Sequence, residues 1–78
     1  MIDYLNLKNS YISAIQMGLM LNAGCTEAKH GNDLLHKFCE NCVDNSNYSM
    51  MEKQKMKLEL ELVKKALAQE IEIFFHHS

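Results

Sequence analysis

The chain has no arginine and no proline, only three glycines and three cysteines, and no long uninterrupted apolar run. Each shortage excludes something. With arginine absent, all eight cationic residues are lysine, and the formal net charge is −2. Arginine supplies most bidentate contacts to bases and phosphates, so direct nucleic-acid contact is not expected. Three cysteines cannot all pair within one chain, and their spacing suggests no disulfide framework, so a reducing cytoplasm is the expected compartment.

The longest uncharged stretch, Asn9 to Thr26, contains Ser10, Ser13, Gln16 and Asn22, too many polar groups for a membrane span. Its end, LNAGC, faintly resembles a lipoprotein cleavage signal at Cys25. Asp3 lies where that signal needs a basic leader, and Asn22 stands where it needs an aliphatic residue, so no membrane association is expected.

What remains is helical material. Leu, Met, Lys and Glu are abundant, and the 78 residues allow one domain. Turn signals occur twice. In Ala23–Thr26, Gly24 is placed to end one helix and Thr26 to cap the next; Asp44–Ser49 is a polar cluster of turn formers. Ser49-Met50-Met51-Glu52 then reads as a capping box. The expected fold is an all-α, three-helix domain with helices over about 3–23, 27–43 and 50–75. The terminal His76-His77-Ser78 carries no inference.

Helix 1 shows apolar residues on both sides, with Leu5, Ile12, Ile15, Leu19 and Ala23 on one and Leu7, Tyr11, Ala14 and Leu21 on the other. Helix 2 carries one stripe of Ala28, Gly31, Leu35, Phe38, Cys39, Cys42 and Val43. The third helix carries two. Met56, Leu60, Val63, Leu67, Ile71 and Phe74 form the first, and Leu58, Leu62, Ala66 and Ile73 the second. Together they cover roughly 200° of the helix surface. KLELELV also alternates like a strand, but it is poor in β-branched residues and flanked by helix formers, and Glu61–Lys65 offers an i,i+4 pair.

An arc that wide exceeds what a small neighbour covers. A chain this short buries only roughly 60–65% of its unfolded surface and gains from a second subunit. Either helices 1 and 2 pack on both stripes in a self-contained three-helix monomer, or one stripe meets another chain. The expectation is a homodimer through helix 3, with Leu60, Val63, Leu67, Ile71 and Phe74 at the interface.

HKFCENC, residues 36 to 42, is the most chemical-looking stretch. His36, Cys39 and Cys42 recur every three residues, so Cys39 and Cys42 fall within the apolar stripe and His36 at its edge. Zinc needs four ligands, usually from two segments, and a redox C-x-x-C needs its first cysteine at a helix N-terminus. Neither condition is met, so core cysteines are expected, with no metal, no cofactor and no enzymatic activity. Lys53, Lys55 and Lys57 interleave with Glu52, Glu59 and Glu61, the pattern of a solvated face. The six methionines read as core filler. A helix-turn-helix reading would make helix 2 the recognition helix, but Glu27 and Asp33 would then face phosphates.

The run of Tyr11, Ala14, Ala23, Ala28, Asn32, Leu35, Lys37, Phe38 and Cys39 resembles the core of the ANR family, the AraC negative regulators of enteric bacterial pathogens. That core is a tyrosine, spaced alanines, an asparagine, a large residue three positions on, then a basic residue closely followed by a cysteine. The resemblance spans residues 11 to 39 and implies a small cytoplasmic helical protein that binds an AraC-family virulence activator and blocks its dimerisation or DNA binding. It places Tyr11, Asn32, Leu35, Phe38 and Cys39 at the positions of the family core. The alternative is a secretion chaperone or phage-type small inhibitor that grips another helical protein.

Overall fold

The computed structural model describes residues 3–76. Three helices account for most of them: α1 (Tyr4–Met20), α2 (Cys25–Asp44) and α3 (Met50–His76), with no strand among the described residues. His77 and Ser78 lie outside the described residues.

Local chemistry sets the helix ends. Asp3 caps α1 by accepting the Leu5 N–H at 3.1 Å. The capping box at α3 forms as the spacing predicts. Ser49 Oγ accepts the Glu52 N–H and Glu52 Oε1 accepts the Ser49 N–H, both at 3.2 Å. The turn between α1 and α2 differs from expectation. Asn22, not Gly24, ends α1: it adopts a left-handed φ of 67°, and its N–H donates to the Leu19 carbonyl. The Ala23 N–H donates to the Gly18 carbonyl at 2.9 Å, which completes a Schellman stop. Asparagine is among the few residues besides glycine that visit this region readily. Gly24 instead stands at the N-cap of α2 with extended backbone, and Thr26 lies inside the first turn.

The helices run up, down and up. Lys8 pairs with Glu59 and Gln16 with Glu70, so α1 is parallel to α3. Asp44 pairs with Lys57, Asp33 with Lys64 and Lys29 with Glu72, so α2 is antiparallel to α3. Lys53 Nζ also donates to the Asp44 carbonyl at 3.0 Å, placing a cation on the C-terminus of α2. Lys53 and Lys57 thus brace the α2–α3 corner, and Lys55 stays exposed.

The core is built from Tyr11, Ile15 and Leu19 of α1, Ala28, Cys39 and Val43 of α2, and Leu60, Leu67 and Ile71 of α3. On α2 the buried face is rotated from the apolar stripe by roughly a sixth of a turn. Asn32 and His36 are buried, Leu35 and Cys42 are half-buried, and Phe38 is 57% exposed. Two polar side chains therefore occupy the α2–α3 seam among the residues of the apolar stripe. The methionines also differ from expectation. Met17, Met20, Met50 and Met51 are exposed, and only Met56 among the described methionines packs against the core.

Candidate interaction surface

α3 has two rows with opposite fates. The inner row is consumed by the fold: Leu60, Leu67 and Ile71 are buried beneath α1 and α2, and Met56 and Val63 are half-buried. Phe74 is exposed and meets Phe75 edge-on, with ring centroids 5.1 Å apart; Phe75 packs on the core. Of the α3 residues expected to meet a second chain, then, Leu60, Leu67 and Ile71 are interior residues of this chain, and Phe74 alone is largely open.

The outer row is the reverse. Leu58 and Leu62 are 68% and 67% exposed, and Met51 and Ile73 are similarly open, with Ala66 between them. Met51 to Leu62 and Leu62 to Ile73 are each eleven residues, about three helical turns, so the row runs nearly straight along the helix. At 1.5 Å per residue it is about 33 Å long. Glu52, Glu59 and Glu70 border one flank; Glu59 is held by Lys8 and by the Tyr4 hydroxyl, and Glu70 by Gln16. The Tyr4 hydroxyl, then the Lys8 ammonium, lower the pKa of the Glu59 carboxyl. Desolvation, reinforced by the Glu59 bond, raises the pKa of the Tyr4 phenol.

A second apolar surface lies between α1 and α2. Leu7, Ser10, Tyr11 and Ala14 from α1 and Leu35, Phe38 and Cys39 from α2 line a shallow groove. Phe38 stands out at its rim, with exposed Leu34 one turn before it. Five residues of the family-like pattern, Tyr11, Ala14, Leu35, Phe38 and Cys39, line this groove, and the pattern divides in role. Tyr11, Asn32 and Cys39 are buried. The Tyr11 hydroxyl donates to the Asn32 carboxamide oxygen, and Asn32 Nδ2 donates to the Lys64 carbonyl at 3.0 Å. One asparagine thereby joins all three helices. Burial raises the Tyr11 phenol above its ordinary value and pushes the Cys39 thiol up to about 11, which leaves it protonated and unreactive. Of the large apolar members of the pattern on this groove, Leu35 is half-buried and Phe38 exposed.

HKFCENC resolves along the same lines. All three cysteines are free; Cys39 faces the α1 groove and Cys25 and Cys42 are half-buried. His36 is not at the edge of a stripe but inside, facing α3, and Glu61 turns to it rather than to Lys65. In comparison with known proteins, no family model matches the chain, and neither a curated protein nor a solved structure matches it at a significant level.

Proposed function

We propose that this protein is a non-enzymatic, cytoplasmic negative regulator of transcription that works by contact between helices. In this reading it binds an AraC-family activator through the α1–α2 groove around Leu35 and Phe38, and pairs with a second copy of itself through the outer row of α3. The observation that carries the proposal is the disposition of apolar side chains. The core is already filled, yet Leu58, Leu62, Ile73, Phe38, Leu34 and four methionines remain exposed. Exposed apolar rows of this kind suit helix-in-groove recognition, and flexible methionine suits a surface that adapts to its partner.

The activator as partner rests on the resemblance from Tyr11 to Cys39. Tyr11 and Asn32 would build the platform and Leu35 and Phe38 would make the contact. Occupying the activator's own pairing surface lowers transcription without any contact to DNA. The second-copy role of the outer row rests on its length and straightness and on the small core of the chain. Calorimetric titration with an AraC-family activator from the same genome tests the first part: binding in the micromolar range or tighter supports it, and no heat from a folded sample removes it.

A further inference from the structure

The α2–α3 seam contains a cluster that the interaction surfaces do not use. His36 is 4% exposed, and its Nε2 is buried with no hydrogen-bond partner. Glu61 Oε2 lies 3.2 Å from that nitrogen but out of line for a hydrogen bond, and Glu40 Oε1 lies 3.6 Å from Nδ1. A buried ring nitrogen without a partner is an unfavourable state that structures rarely tolerate. Each ring nitrogen faces a carboxylate, Nδ1 that of Glu40 on its own helix a turn away and Nε2 that of Glu61 across the seam.

Among the described residues, no lysine pairs with either carboxylate. Lys57, which lines the adjoining depression, is held by Asp44 at 3.1 Å, and Lys64 is held by Asp33 at 3.4 Å. One ligand atom from each of His36, Glu40 and Glu61 lies within 4.8 Å of the other two. Donors at 2.0–2.2 Å around a tetrahedral ion stand about 3.3 Å apart, so the carboxylates need to close by at most about 1.5 Å. Glutamate rotamers supply that movement, since both side chains are only partly buried.

We infer that His36, Glu40 and Glu61 form a binding site for a divalent transition-metal ion of the Zn2+ class. An imidazole nitrogen with two carboxylates selects such an ion over Ca2+ or Mg2+, which prefer all-oxygen shells. His36 and Glu40 present their donors one turn apart on α2, and Glu61 closes the site from α3. The fourth position opens toward the depression lined by Gln54, Lys57 and Leu58, where water completes the shell. The ion clips α2 to α3 and replaces the missing partner of Nε2. It is a staple of the kind small domains use, built from HKFCENC through its histidine and glutamate and not through its cysteines.

The test is thermal unfolding of the metal-stripped full chain with and without Zn2+, joined to calorimetric Zn2+ titration and the imidazole resonances of His36. At a hundred times the dissociation constant, Zn2+ raises Tm by about 10 °C or more. Glu40→Gln and Glu61→Gln, which are close in shape and keep the fold, each weaken binding at least about tenfold. The effect persists in the Cys25→Ser, Cys42→Ser variant and in the His76→Gln, His77→Gln variant, and Zn2+ shifts the His36 resonances. No Tm shift, a shift that survives both glutamine variants, or a shift that disappears with the cysteines or the terminal histidines overturns the site.

Discussion

Tyr11 and Asn32, 21 residues apart in the chain, form a buried polar contact, the phenol hydroxyl donating to the carboxamide oxygen. Because Asn32 also donates to the Lys64 carbonyl, this contact fixes how α1, α2 and α3 meet. Asn32→Ala leaves the Tyr11 hydroxyl only its 3.3 Å bond to the residue-32 backbone carbonyl, takes the side-chain donor from the Lys64 carbonyl and opens a small void, and destabilises the fold by about 1–3 kcal/mol. Tyr11→Phe strands the carboxamide oxygen at a similar cost. In a double-mutant cycle by chemical denaturation the two changes couple by about 1 kcal/mol. Strict additivity would mean that the contact does not matter to the fold.

The two rows of α3 predict opposite mutational behaviour. Leu60→Ala removes a side chain with no exposure and lowers stability by about 2–5 kcal/mol. Leu58→Glu with Leu62→Glu alters side chains already in solvent and leaves monomer stability within about 1 kcal/mol. The same pair converts a dimer to a monomer in sedimentation equilibrium, if the outer row is the pairing surface. A wild-type monomer at high concentration, or a dimer indifferent to the double change, assigns the outer row elsewhere.

Thiol chemistry separates the cysteines. With its thiol at about 11, Cys39 is roughly a thousandth ionised at pH 8, and it is also sealed from solvent. In the native protein an alkylating reagent modifies Cys25 and Cys42 well before Cys39, and all three react at comparable rates in denaturant. Mass spectrometry of timed digests reads this directly. Native Cys39 reacting as fast as Cys42 would contradict the burial described.

Glu59 gives a pH-dependent signature. Its carboxyl is held below the ordinary glutamate value of 4.5 chiefly by the Tyr4 hydroxyl. A depressed carboxylate contributes stability that is present above the ordinary value and lost as pH falls through the folded one. Tyr4→Phe removes the larger cause, so the Glu59 resonance titrates closer to 4.5 and the acid side of the stability profile flattens. The contribution is small because Glu59 is exposed. An unchanged titration would shift the cause to Lys8.

Much of the fold was legible in the chain. The three helices, the corner at Asp44–Ser49 and the Ser49–Glu52 box follow from local preferences that the tertiary structure leaves intact. The α1 stop was less so, because Gly24 is the stronger default and Asn22 takes the left-handed position only in this turn. The buried face of α2 was misplaced for a tertiary reason. The apolar stripe leaves out Asn32 and puts His36 at its edge because both are polar, but Asn32 finds Tyr11 and Lys64, and His36 is aimed at Glu40 and Glu61. The two stripes of α3 were both visible. Which one faced inward was not, since that depends on where α1 and α2 dock. The signal for the His36 cluster was present in the spacing of His36 and Glu40, four apart on one helix face, although Glu61 joins them only through the seam.

The measurement that bears most directly on the account is calorimetric titration of an AraC-family activator into the wild-type chain and into Phe38→Glu. Phe38 is exposed at the rim of the α1–α2 groove, so its replacement leaves the fold intact while placing a charge in the contact. The account predicts micromolar or tighter binding by the wild type and at least about a tenfold loss in the variant. No binding by a folded wild type, or equal binding by Phe38→Glu, would contradict it.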